Sequence, residues 1–129
     1  MSKRINIGSG TEWERTVGYS RVVRVGNIIE VSGTVAVENG EVVARDNPYE
    51  QTRFILAKIA DYIGRAGGHM DDIVRTRIYV TNMLDGEEVG KAHGEFFRDI
   101  RPVTSMVEVR ALIEPEYLVE IEATAIIPE

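Results

Sequence analysis

The sequence has no cysteine and only two histidines, His69 and His93. The lack of cysteine excludes a disulfide scaffold, a thiolate metal site and cysteine nucleophilic catalysis. The two histidines stand apart, without the HxxxH or HxxE spacing of a metal site. No phosphate-binding loop or dinucleotide fingerprint follows any predicted strand. We therefore expect neither a metal nor a cofactor.

Long apolar runs are also missing. No run approaches the roughly 20 residues that span a bilayer, and residues 1–5 carry no apolar core of signal-peptide length. We therefore expect a cytoplasmic protein with no membrane partner. The 129 residues, 43% hydrophobic and 28% charged, are ordinary for one globular domain that spans residues 1–129.

Basic residues are in the minority, with 15 Lys and Arg against 21 Asp and Glu, which gives a net charge of −6. No basic run is longer than Lys3-Arg4. A nucleic-acid-binding surface usually shows as a basic patch. The composition therefore argues against nucleic acid as a partner.

Glycine and asparagine divide the first third of the chain into short strands. Gly26-Asn27 separates β runs at 19–25 and 28–31, and Asn39-Gly40 separates runs at 35–37 and 41–43. Both dipeptides are typical of tight hairpins. With a short edge strand over 5–7, this part is predicted to be mostly antiparallel sheet.

Two helices are predicted in the middle of the chain. Asn47-Pro48 supplies an N-cap and a first-turn proline, isoleucines at 55, 59 and 63 form an apolar stripe, and Gly67-Gly68 ends the helix. A second helix is predicted to start at Asn82 or Asp85. Its apolar positions are Val89, Ala92, Phe96 and Phe97.

Strands are predicted over 74–80, 101–109 and 118–123, the last two adjacent to each other. The resulting order is strands, helix, strand, helix, two strands. This order predicts an α+β fold, with a mixed, mostly antiparallel sheet and two helices packed on one of its faces.

The three later strands alternate charged and apolar side chains, since neighbouring strand residues point to opposite faces. The predicted charged side carries Arg75, Arg77, Tyr79, Glu108, Arg110, Glu120 and Glu122, and the apolar side carries Val74, Ile78, Val80, Val107, Val109, Val119 and Ile121. Carboxylates in a strong β run are costly if they are buried without partners. The charged face must therefore meet water, basic neighbours or a ligand site.

Short motifs spread over nearly the whole chain carry a family resemblance. They are Pro102-x-x-Ser105-x-Val107-x-Val109, the run 119–125, Gly18-Tyr19-Ser20, Val25-Gly26-Asn27, Val31-Ser32-Gly33, the strand 74–80 and Glu95-Phe96-Phe97. In their order and spacing the chain resembles the RidA/YjgF family of small enamine and imine deaminases and their non-deaminating relatives. The resemblance implies a RidA-like, chorismate mutase-like subunit that assembles as a homotrimer with small-molecule pockets between subunits.

The resemblance places Glu120 in such a pocket, where it would position the water that attacks an imine carbon. A carboxylate suits this work if burial or a like-charged neighbour, here Glu122, raises its pKa toward neutrality. The residues alone leave open another interpretation, in which Glu120 forms a structural ion pair with Arg75 or Arg77. The same resemblance implies that Tyr19 covers a planar ligand and that Ser32-Gly33 lies beside it.

Position 104 departs from the deaminating relatives, in which an arginine clamps the substrate carboxylate. This chain has Thr104 there, and Met106 in place of a cysteine. Arginine binds a carboxylate bidentately and stays charged, and the loss of such a pair costs about 1.5–3 kcal/mol. A standard 2-imino acid is therefore not the expected substrate. Arg101 and Arg21 are candidate substitute cations, and Arg21 is preferred because it shares the face of Tyr19.

We therefore expect a small metabolite to bind in pockets built around Tyr19, Arg21, Ser32, Gly33, Thr104, Ser105, Met106 and Glu120. If the protein is an enzyme, it hydrolyses an enamine, imine or related C–N bond with a water positioned by Glu120. The rival is a non-catalytic module that binds a metabolite or a protein, favoured by the missing arginine. Endoribonuclease, a label that some members of the family carry, is the weaker alternative because the chain is acidic.

Overall fold

The computed structural model describes residues 3–129, and Met1 and Ser2, the start of the stretch considered for an export signal, lie outside them. The described strands are β1 Arg4–Ile7, β2 Val22–Val25, β3 Ile28–Thr34, β4 Val37–Glu38, β5 Glu41–Val42, β6 Ile73–Val80, β7 Val103–Glu108 and β8 Val119–Ile126. The α-helices are α1 Glu12–Val17, α2 Pro48–Arg65 and α3 Gly86–Phe97.

The predicted α+β fold class is confirmed. Six strands form one mixed sheet in the order β1-β2-β3-β8-β6-β7, in which only the β6–β7 pair is parallel. Helices α2 and α3 pack side by side, and α2 lies over β3 and β8. Both predicted hairpins are present, and Asn39 and Gly40 have the positive φ angles, 52° and 80°, that a tight turn between β4 and β5 requires.

Helix α2 has the predicted ends. The Asn47 side chain accepts a hydrogen bond from the Glu50 amide at 3.0 Å, and Pro48 is the first helical residue. After the helix Gly67 adopts φ of +92°, and the Gly68 amide donates to the Ile63 carbonyl. The isoleucine stripe is fully buried against the sheet, so α2 supplies much of the core.

Helix α3 begins at Gly86, with Asp85 as the residue before it, while Asn82 caps the short 3-10 turn Met83–Asp85. Both candidate start residues therefore lie at the ends of this turn. Val89 and Ala92 are fully buried and Phe97 nearly so. Among residues 3–129, no helix is long and apolar enough to cross a membrane.

The six-residue helix α1 was not predicted. Its N-cap is Thr11, whose hydroxyl accepts from the Glu14 amide at 3.3 Å, and it ends at Gly18 with φ of +86°. The spacing Thr11-x-x-Glu14 is the signature of a capped helix start. Its apolar residues Trp13 and Val17 are 54% and 56% exposed, so no buried stripe marked the helix in the sequence.

The prediction that the last two strands are adjacent is wrong, because β6 lies between β7 and β8. Strand β8 pairs antiparallel with both β3 and β6, while β7 forms the sheet edge beside β6. Ten residues separate β7 from β8, enough to cross one intervening strand. This order places β8, with Glu120, in the middle of the sheet.

The predicted faces are correct for β8 but reversed for β7. Register pairs Val107 with Tyr79 and Glu108 with Val80, so Val107 shares the charged, helix-free face. Val103 and Val107 are 57% and 45% exposed there. Glu108 instead points to the helix side, where its carboxylate accepts from the Met83 amide at 2.8 Å. The helix-free face thus carries exposed valines at its edge.

Candidate active site

Glu120 lies at the centre of the sheet, above a break in the neighbouring strand. Strand β8 pairs with β3 from Ile28 to Val31 and again at Thr34, and the register shifts between Val31 and Thr34. A bulge of this kind bends the strand and frees backbone groups. The Glu120 side chain fills the space over Gly33, since a Cβ atom built on Gly33 would lie 2.1 Å from Glu120 Oε2 and 2.9 Å from Cδ. Only glycine at position 33 allows this placement.

Arg21 holds the bulge of β3 in place. Its Nη2 donates to the carbonyl oxygens of Gly33 at 2.6 Å and Ser32 at 3.2 Å, and to Thr34 Oγ1 at 2.9 Å. Its guanidinium also lies 5.9 Å and 5.8 Å from the ring centroids of Tyr19 and Tyr62, within the range of cation–π attraction. Arg21, proposed from sequence as a substrate clamp, therefore has a positioning role in the chain itself.

Burial raises the pKa of the Glu120 carboxyl group above its ordinary value. The Arg21 guanidinium opposes this rise, and the Glu122 carboxylate adds to it. Among the ion pairs of residues 3–129, none includes Glu120. Arg77 instead pairs with Glu122 at 3.4 Å, and Tyr79 Oη donates to the same carboxylate at 3.2 Å. The ion pair considered for Glu120 is thus made by Glu122.

Tyr19, Arg21, Ser32, Gly33 and Glu120 line one cavity of about 780 Å³. Five of the eight residues expected to form the site are therefore brought together within one chain. The volume is in the range of small-molecule sites, which are typically 300–1,000 Å³. A more open depression of about 470 Å³ lies beyond Tyr19 and Ser32 and does not include Glu120.

Ser32 is not prepared for nucleophilic attack. Its Oγ donates to the Ser20 carbonyl oxygen at 2.7 Å, and in residues 3–129 it donates to no side-chain base that could remove its proton. Tyr19 precedes β2, since the strand predicted from residue 19 begins at Val22. The half-buried tyrosine ring faces the cavity from irregular backbone.

Thr104, Ser105 and Met106 do not line the cavity of their own chain. Thr104 Oγ1 lies 2.8 Å from Thr76 Oγ1 on the helix side of the sheet, opposite to the side of Glu120. Met106 packs against the core on the same side as Thr104, while Ser105 pairs with Arg77 and faces the helix-free side. All three belong to the edge strand, so they can reach a Glu120 cavity only across a contact between two subunits.

His93 and His69 lie away from the cavity. His93 Nε2 is 2.9 Å from the hydroxyl of Thr76. The centroid of its ring lies 4.5 Å from that of Phe97, with the two ring planes tilted by 39°. Burial lowers the pKa of His93, so a neutral ring is favoured. His69 is exposed in the loop after α2. Across residues 3–129, no cluster of three potential metal ligands is found.

Sequence reasoning missed the wall that α2 contributes to the cavity. Lys58 and Tyr62 line it, one helical turn apart. Tyr117, close to the start of β8, lines it as well. The i, i+4 spacing of Lys58 and Tyr62 could be read from the sequence. Their position beside the cavity could not, because it depends on how α2 packs on the sheet.

Comparisons with known proteins show the family and the fold of this chain. The profile of the family described as Endoribonuclease L-PSP matches residues 10–127. A crystal structure of a Mycobacterium tuberculosis member of the YjgF/YER057c/UK114 family is 48% identical, with a TM-score of 0.88 over 97% of this chain and 100% of that one.

Two curated relatives are more distant. An uncharacterised Streptomyces coelicolor protein is 33% identical over 92% of this chain and 89% of its own length. A protein of Acinetobacter baylyi, named 3-aminoacrylate deaminase RutC, is 30% identical over 97% of this chain and 98% of its own length.

Proposed function

This chain belongs to the YjgF family, whose profile is described as Endoribonuclease L-PSP, and we propose that it hydrolyses an enamine or imine C–N bond of a small metabolite bound beside Glu120. The observation that carries the proposal is the Glu120 carboxylate above Gly33. It is half-buried, faces a ligand-sized cavity and has no ion-pair partner among residues 3–129. A relative named as a deaminase of 3-aminoacrylate, which is an enamine, supports the same reaction class.

The chemistry follows from a carboxylate with a raised pKa. Glu120 takes a proton from water as the water oxygen forms a bond to the imine carbon. With a protonated imine this gives a neutral carbinolamine, whose nitrogen takes the proton back from Glu120. The C–N bond then breaks as the hydroxyl group gives its own proton to the Glu120 carboxylate, and ammonia and a carbonyl compound are released. A base whose pKa approaches neutrality both accepts and returns the proton efficiently. We assign to Tyr19, whose ring lines the cavity, the role of covering the planar ligand and donating one hydrogen bond to it.

The homotrimer is part of this proposal. Exposed valines at positions 103 and 107 lie on the helix-free face of the sheet, and apolar surface of this kind is stabilised by contact with another subunit. A cyclic trimer repeats one contact three times. Such a contact would bring Ser105 on the helix-free face, and Thr104 at the exposed edge of β7, to the Glu120 cavity of the next subunit.

A non-catalytic metabolite-binding module is the second candidate. The observation in its favour is the hydroxyl of Thr104, which is engaged with Thr76 at 2.8 Å and offers no charge to a substrate. An endoribonuclease is disfavoured because Glu14, Glu38 and Glu120 line the cavity of an acidic chain, and phosphate groups are repelled by carboxylates.

One assay separates the three functions. Ammonia release is measured from a panel of freshly generated enamines and imines, with and without the protein, and binding of the same compounds and cleavage of RNA are measured in parallel. Acceleration on at least one C–N substrate and none on RNA is the expected result. Binding of panel compounds without acceleration would favour the binding module, and RNA cleavage alone would overturn the proposal.

A further inference from the structure

The α2 wall of the cavity carries a lysine that the proposed reaction does not use. Lys58 and Tyr62 line the cavity from α2, and the Arg21 guanidinium lies over the Tyr62 ring at 5.8 Å. Two cations therefore face the cavity from neighbouring positions. Glu120 faces it from the sheet.

The Lys58 ammonium group is only partly satisfied by the chain. Its Nζ donates to the Val37 carbonyl oxygen at 2.9 Å and lies 5.2 Å from the Phe54 ring centroid. An ammonium group has three donors, so two N–H groups stay available. Among residues 3–129, neither Lys58 nor Arg21 has a carboxylate within 4 Å.

The charge on this wall is poorly compensated. Burial lowers the pKa of Lys58; the Glu38 carboxylate opposes this shift and the Arg21 guanidinium adds to it. A half-buried lysine beside a second cation is stabilised by an anion placed close to both.

Among the described residues, the carboxylates around the cavity form no ion pair with Lys58 or Arg21. Glu14 is bonded to the hydroxyl and amide of Ser9, and Glu38 is exposed. Glu120 lies on the sheet wall above Gly33. The three carboxylates nevertheless make the cavity unfavourable for a dianion such as phosphate, and they favour a ligand with a single negative charge.

We propose that Lys58, with Arg21 beside it, binds the carboxylate of the ligand, while the reacting carbon of the ligand faces Glu120. Since the two groups act from different walls, the ligand carries its carboxylate at least one carbon away from the C–N carbon, unlike a 2-imino acid. The inference rests on the proposed function for the role of Glu120. The binding of a carboxylate by Lys58 can be tested without turnover.

The test compares crotonate with crotonamide, a planar acid and its uncharged counterpart of nearly equal shape. Dissociation constants are measured by NMR titration of the assembled wild-type protein and of Lys58→Met, Lys58→Arg and Lys91→Met. Lys91 is exposed on α3 and controls for the loss of one positive charge. We expect crotonate to bind wild type about tenfold or more tightly than crotonamide. We also expect Lys58→Met to remove that preference, while Lys58→Arg and Lys91→Met keep it.

Equal binding of the two probes to wild type, no detectable crotonate binding, or unchanged crotonate affinity in Lys58→Met would overturn the inference. Glu120→Gln distinguishes it from the proposed function, since this variant should keep its crotonate preference and lose turnover. A crotonate preference that depends on Lys58 in a protein without hydrolase activity would contradict the reaction and not the carboxylate site. Hydrolysis that needs Glu120 but not Lys58 would contradict the carboxylate site alone.

Discussion

The Glu120 carboxylate occupies the place where a side chain at Gly33 would begin, because a Cβ atom there would lie 2.1 Å from Oε2. The carboxylate can therefore lie over the bulge of β3 only while residue 33 has no side chain. Arg21 maintains this arrangement through its bonds to the Gly33 carbonyl and Thr34. The β3 backbone, Gly33 and the Glu120 carboxylate thus form one unit of the candidate site.

Gly33→Ala should reduce turnover while leaving the fold intact. The added methyl group displaces the flexible end of the Glu120 side chain, and an error of about 1 Å in a catalytic group can cost about 10²-fold in rate. Alanine is otherwise favoured over glycine in a strand by about 0.5–1 kcal/mol, so thermal unfolding should change little. In a double-mutant cycle, adding Gly33→Ala to Glu120→Gln should cause little further loss of rate. Additive losses would show that Gly33 acts independently of the carboxylate.

Light scattering should show a homotrimer, with a mass of about three times the 14.4 kDa of one chain. Val107→Asp should shift the mass toward the monomer, because Val107 is 45% exposed on the helix-free face and a carboxylate there would be buried at the contact. A monomer mass for the wild-type chain at micromolar concentration would remove the subunit-interface pocket from the account.

Thr104→Arg should add activity on 2-imino acids, which wild type should barely accelerate. Threonine 104 supplies a hydroxyl bonded to Thr76, whereas arginine supplies a planar cation for the carboxylate on the imine carbon. Thr104→Gln is the control for added length without charge, and light scattering checks that each variant still assembles. Strong hydrolysis of 2-imino acids by wild type would mean that another cation holds their carboxylate.

The contribution of His93 to the free energy of unfolding should fall as the pH is lowered below about 6.5, the ordinary pKa of histidine. Burial lowers the pKa of His93 in the folded chain, so the unfolded chain binds the proton more readily and acid favours unfolding. The stability that His93 contributes is complete above the pKa that histidine has in the unfolded chain. It is lost as the pH falls toward the lower pKa of His93 in the folded chain. Urea titrations from pH 7 to pH 5 should show less loss of stability on acidification for His93→Gln than for wild type. The exposed His69→Gln should behave like wild type.

Local signals in the sequence predicted the elements better than their arrangement. Asn47-Pro48 and Gly67 defined α2 because caps are encoded by single residues. The position of β6 between β7 and β8 could not be predicted in this way, since strand order depends on how the two helices cover the sheet. The reversed faces of β7 follow from the same cause, because alternation fixes two faces but does not say which one the helices meet.

The sheet half of the candidate site was predicted more completely than the helix half. Glu120, Gly33 and Tyr19 lie in recognisable motifs, and they line one cavity. Lys58 belongs to no motif and reaches the cavity only because α2 packs over β3 and β8. The position of Lys58 at the cavity depends on tertiary packing, which the spacing of residues in the sequence does not predict.

The turnover of Glu120→Gln tests the central claim most directly. The amide keeps the shape of the side chain and removes the base, so kcat should fall by about 10²–10⁴. Because burial raises the pKa of Glu120, the acid limb of the wild-type kcat/KM profile should lie above the ordinary glutamate pKa of about 4.3 and be absent from any residual activity of the variant. The folded chain also binds the Glu120 proton more tightly than the unfolded chain, so at neutral pH the variant should be the more stable of the two. A variant that keeps wild-type turnover and the same acid limb would contradict the account.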